Sequence, residues 1–187
     1  CEAAAVLETM LRSGSAPVQP DPPEQFRRLR QRSARRRREV DARLHRAFVT
    51  PMERGDIMDL CRCIDTVTCA VADIAAQLSI HNITAARPEA AQFPALLTRC
   101  CRAVRTLLEE LPGFRRSQTL GRRILALERL REEGRQLYHT ASADLHRSGC
   151  SARTLLTWGE LYGRFDAAFR ACGAVADVVA RIVVTNA

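Results

Sequence analysis

Lysine is absent from this chain of 187 residues, and all 29 basic residues are arginine. That absence reads as the mark of a GC-rich genome more than as a demand of function. Aromatic residues are scarce at 5%, and none is interleaved with the densest arginine run, so the stacking platforms that hold single-stranded nucleic acid are missing. No glycine-rich phosphate loop is present, which removes support for nucleotide chemistry. No segment alternates with period two, so no sheet is expected. Arg, Asp or Glu interrupts every apolar segment within a turn or two, and the expectation is that no segment crosses a membrane. Also missing is an initiator methionine. The opening CEAAAVLETMLRSG reads as the tail of a helix, not as the basic-then-apolar pattern of a signal peptide, so the true N-terminus is expected to lie upstream.

What is present is 47% hydrophobic residues, enough for a real core in a chain of this length. Eight cysteines would suit a small disulfide-framed domain. Here Cys61, Cys69, Cys100 and Cys172 sit inside apolar helical stripes, so they read as free thiols of a reducing compartment. The formal charge of +8 is concentrated. From Glu24 to Phe48 there are ten arginines against Glu24, Glu39 and Asp41, and the rest of the chain is close to neutral.

Helical periodicity runs through most of the sequence. Residues 1–13 look helical, and Ser13 to Pro23 reads as a loop punctuated by Gly and Pro. A helix is expected from about Pro23 to Phe48, with Phe26, Leu29, Val40, Leu44 and Phe48 as its apolar positions. The next, Thr50 to Ile80, is the plainest. Thr50 is placed as N-cap, Pro51 at the first helical position and Glu53 as the partner in a capping box. Its stripe runs from Ile57 through Ile64, Val67, Val71 and Ile74 to Leu78, with Cys61, Asp65, Cys69 and Asp73 lined up beside it at four-residue steps. Three more helices follow, from about Phe93 to Leu111, Ser117 to His146, and Ser151 or Thr157 to Val184. The stretch AVAD at residues 70–73 recurs at 174–177. The expectation is a single all-α domain over 1–187, a bundle of about six helices in two similar three-helix halves, 1–80 and 88–187, packed together.

Two stretches carry a family resemblance: LHRAFVTPMERGDI at residues 44–57 and WGELYGRFDAAFRACGAVADVVARIVVTNA at 158–187. The first resembles the Leu-His-x-x-Phe-x-Thr-Pro-x-Asp-Arg-x-Asp-Ile signature of PhoU-related phosphate-transport regulators, in the branch of accessory proteins to the Pit inorganic phosphate permease. The resemblance implies a PhoU-like helical bundle in the cytoplasm, possessing no catalytic activity, that regulates phosphate transport by protein contact. It also implies a partner, a Pit-type permease or another membrane transport component, with a position at the inner membrane face and a second copy of the chain as a further candidate.

PhoU-like proteins carry acidic repeats, two carboxylates one helical turn apart, that can bind metal. At the matching positions this chain has Arg30 and Ala34, Asp65 and Cys69, Arg131 and Arg135, and Asp166 and Arg170. Guanidinium groups cannot be deprotonated, so these positions make a poor cation site, and no metal or other cofactor is expected. Asp65 and Asp166 are expected to pair instead with Arg30, Arg131, Arg135 or Arg170. A zinc reading of Cys61, Cys63 and Cys69 is set aside because Cys-x-Cys on a helix splits its thiols between faces. His45, His81, His139 and His146 are scattered, with no nucleophile and base assembled beside them, so no enzyme is expected.

The arginine run is left as the candidate site, with Arg35, Arg36, Arg37 and Arg38 as the partner-binding residues. Its bland reading is a solvated face. Its functional reading is a stripe that meets an acidic protein surface, anionic lipid headgroups or, less favoured, nucleic acid.

Overall fold

The computed structural model describes residues 22–50, 52–83 and 87–186, together with Ala4, Leu7 and Glu8. The apolar positions spaced at three and four residues become five long helices: α1 (Pro22–Arg46), α2 (Arg54–Ile80), α3 (Phe93–Glu110), α4 (Leu120–Arg147) and α5 (Ala152–Thr185). Among the described residues there is no strand, as expected. The helix expected over 1–13 and the loop to Pro23 lie largely outside the described residues, as does Pro51.

The helix ends have local causes. At α5 the Ser151 hydroxyl accepts the Thr154 N–H, an ordinary N-cap. At the far end of α2, Asn82 takes a left-handed φ of 51°, and the Ile83 N–H reaches back to the Leu78 carbonyl at 2.8 Å. That closes the helix in the Schellman manner. The start of α2 differs from expectation. Residues 47–50 turn a corner outside any helix, α2 begins at Arg54 with Glu53 as cap residue, and no side chain caps it. Thr50 donates its hydroxyl to the Met52 carbonyl at 2.7 Å, so no capping box forms.

Neighbouring helices run antiparallel around one core. Arg30 and Arg37 of α1 meet Asp73 and Asp65 of α2, the higher number on one helix opposite the lower on the other. Gln77 near the end of α2 donates to Glu160 near the start of α5, and Arg181 near the end of α5 meets Asp56 and Asp59 at the start of α2. Helix α5 also packs on α4 and α3. In the centre, the fully buried Phe93 ring stacks on Tyr162 at 5.2 Å and lies 5.1 Å from Phe165. Close approach of α4 to α5 depends on Gly134, whose Cα faces the buried Phe169 ring.

One helix departs from the sequence reading. By length and composition alone α2 could cross a membrane, with a mean hydropathy of 1.4 over an 18-residue window. It reaches that value because Asp65 and Asp73 are few charges among many apolar residues. In the fold α2 packs between α1 and α5, with Val67, Val71, Ile74 and Leu78 buried. Toward its start the stripe is only half buried, at Ile57, Leu60 and Ile64.

Candidate functional site

Helix α1 buries Phe26 and Leu44 and turns most of its arginines outward. Several are engaged with acids of the same helix: Arg27 and Arg28 with Glu24, and Arg35 with Glu39 at 3.1 Å. Arg28 first, then Arg27, holds the Glu24 carboxyl below the usual carboxylate range by hydrogen bonding. Two others reach across to α2: Arg30 lies 3.1 Å from Asp73, and Arg37 lies 3.5 Å from Asp65. Arg32, Arg36, Arg38, Arg43 and Arg46 are exposed and form no ion pair among the described residues. Arg32, Arg36 and Arg43 are separated by four and seven residues and Arg46 follows by three, so these four share one arc of the helix.

The residues placed as a partner-binding group therefore divide. Arg36 and Arg38 are free and exposed, Arg35 is exposed but tied to Glu39, and Arg37 turns toward α2. Sequence reasoning grouped them because they are consecutive. Four consecutive helical residues span the whole circumference, and the unpaired row runs at every third or fourth residue instead.

The acidic-repeat positions hold ion pairs. Asp65 accepts the Ser33 hydroxyl at 2.8 Å and faces Arg37, not Arg30. Asp166, itself buried, pairs with Arg170 at 2.9 Å. Arg30 goes to Asp73 and Arg131 to Asp177 at 3.1 Å, so the last residue of each AVAD stretch holds an arginine. Arg135 pairs with Glu132 on its own helix. Among the described residues no three of His, Cys, Asp and Glu converge to hold a metal ion. Burial pushes Cys61 and Cys63 up in pKa.

The chain is similar to the UPF0111 protein YkaA of Bacillus subtilis. The match has 22% identity over 144 residues, 77% of this chain and 70% of that protein. No family model matches the chain. At that identity the match is a distant likeness to that one protein and does not by itself show a family.

Two features of the corner between α1 and α2 escaped the sequence reading. Phe48, read as a packed apolar position of α1, lies beyond the helix and is 99% exposed. Asp56 is buried and held 3.3 Å from Arg181, with one carboxylate oxygen lacking a hydrogen-bond partner. The Asp56 contact spans most of the chain and leaves no local signal. Phe48 carried one, since the turn residues Thr50 and Pro51 come two and three positions after it.

Proposed function

We propose that the chain is a PhoU-like regulator or accessory factor of inorganic phosphate transport. It acts at the inner face of the membrane by contact with a transport component, a Pit-type permease, and performs no catalysis. The observation that carries this reading is the signature-like stretch Leu44 to Ile57, which the fold sets at an exposed corner beside the free arginines of α1. The distant likeness to YkaA supports the same direction. In this reading Arg32, Arg36 and Arg38, with Arg35 beside them, meet acidic groups of the partner. Unpaired surface charges favour such encounters because no internal partner has to be displaced. The bundle is also read as two similar halves, 1–80 and 88–187, a reading supported by the parallel pairs of Arg30 with Asp73 and Arg131 with Asp177.

Co-sedimentation with membranes that contain or lack a Pit-type permease tests the proposal. Binding that is stronger to permease-containing membranes than to membranes without it, with that excess abolished by a double change of Arg32→Glu and Arg36→Glu, is the expected result. No excess on the permease-containing membranes overturns it, whatever the binding to lipid alone.

A further inference from the structure

Antiparallel packing gathers three parts of the chain at one end of the bundle: the corner between α1 and α2, the 3-10 connection Leu111–Arg116 between α3 and α4, and the last turn of α5. Three sets of contacts fix this. Arg181 near the end of α5 meets Asp56 and Asp59 at the start of α2, Arg131 in the first half of α4 meets Asp177 toward the end of α5, and Arg123 at the start of α4 meets Glu110 at the end of α3. Three apolar side chains stand in solvent at this end: Phe48 at 99%, Val49 at 80% and Val184 at 80% exposure. Around them Arg43, Arg46, Arg115, Arg116 and Arg122 are exposed and form no ion pair among the described residues.

The acids here are mostly engaged. Asp56 and Asp59 are held by Arg181, Glu109 by Arg105 and Glu110 by Arg123, while Glu53 stays exposed and the half-buried Asp41 forms no ion pair among the described residues. The opposite end also exposes apolar groups, Ile80 at 72% and Leu156 at 74%, but its flank is mixed in sign. There Glu160 faces His81 and Arg164, and Asp144 pairs with Arg147. Exposed apolar residues are thus common to both ends, and a rim of unopposed cations belongs to one.

We propose that this cationic end docks on an anionic lipid bilayer. Phe48, Val49 and Val184 enter the headgroup and acyl boundary, and the five arginines contact lipid phosphates. A fluid interface accepts scattered apolar side chains that form no continuous patch, and each nearby arginine adds attraction to anionic lipid. A second copy of the chain fits less well, because a twofold interface on this end would set the same arginines against one another. The proposal stands apart from the permease reading, since protein-free vesicles are sufficient to test it.

The full chain is sedimented with vesicles of phosphatidylglycerol and phosphatidylcholine, and with phosphatidylcholine alone. Expected is binding to the anionic vesicles only. Loss of a buried aromatic side chain predicts a partition roughly tenfold weaker for Phe48→Ser. Arg43→Glu with Arg46→Glu is expected to weaken it by at least as much, given about fivefold per arginine. Leu156→Ser, at the opposite end, is expected to bind like the parent. A Phe48→Trp variant is expected to show blue-shifted emission on anionic vesicles, beyond any change in the parent with its buried Trp158. Three results overturn the proposal: no binding to anionic vesicles, binding without that blue shift, or a dimer in light scattering that Phe48→Ser dissociates.

Discussion

Gly134 and Gly173 look alike in sequence, each a glycine well inside a long helix, yet their surroundings give them opposite tolerance. A β-carbon at Gly134 would overlap the ring and Cβ of Phe169, a fully buried side chain with nowhere to move. A β-carbon at Gly173 would meet the stem of Arg131, whose charged end is partly exposed and reaches Asp177. Alanine is favoured over glycine in a helix by about 1 kcal/mol, whereas overpacking a core costs about 1–3 kcal/mol. Gly134→Ala is therefore expected to destabilise the fold by about 1–2 kcal/mol in urea unfolding. Gly173→Ala is expected to stay within about 1 kcal/mol of the parent, because the arginine can swing aside and gives up only a solvent-exposed ion pair. Equal losses at the two sites would mean that α4 and α5 are not held at this separation by Gly134.

At the scale of the helix, α1 is joined to α2 by Ser33 and Arg37 reaching Asp65 and by Arg30 reaching Asp73, beside the burial of Phe26 and Leu44. Asp65→Asn keeps an oxygen for the Ser33 hydroxyl and loses only the charge facing Arg37, so it is expected to cost about 1 kcal/mol or less. Asp65→Ala removes both interactions and strands Ser33, adding about 1–2 kcal/mol. Asp166 is more deeply buried, and Asp166→Asn is expected to cost about 1–2 kcal/mol by loosening its charged bond to Arg170. Thermal melts of the three variants check the order. The helices themselves were legible in the sequence, because the stripes through Phe93, Leu127 and Phe165 have the helical period and become core. Replacement of the acidic repeats by arginine was legible too, and it pointed to ion pairs. The choice of partner was legible in part: Asp166 pairs with Arg170 as expected, within one helix, whereas register between helices sets Arg37 rather than Arg30 against Asp65. The same limit misplaced Phe48, whose spacing continued the apolar face of α1 past the point where the backbone leaves the helix.

For the molecule as a whole, the dependence of stability on pH follows from a charge set with no lysine. The arginines stay charged throughout, so over the range where Asp and Glu titrate, acid acts through the carboxylates. Glu110 is held at about 2 by the Ser117 hydroxyl, then the Thr119 hydroxyl and Arg123, and Glu132 is held at about 2 by Arg135 and Gln136. A folded value below the ordinary glutamate value of about 4.3 means that the stabilisation is complete above that pH and fades as pH falls toward about 2. The two residues differ in what they join. Glu132 bonds to residues three and four positions along its own helix, whereas Glu110 joins the end of α3 to the connection and the first turn of α4. Unfolding separates the Glu110 partners more thoroughly, so the acid sensitivity of the fold should depend more on Glu110. Melting temperature is expected to be level near neutral pH and to fall between about 4.5 and 2 as glutamates take up protons. Glu110→Gln should melt lower than the parent at neutral pH and show a shallower acid decline, the two curves converging near pH 2. Glu132→Gln should follow the parent more closely. Curves for Glu110→Gln and the parent that run parallel across the acid range would show that the carboxylate charge at the α3 and α4 junction does not carry the acid response.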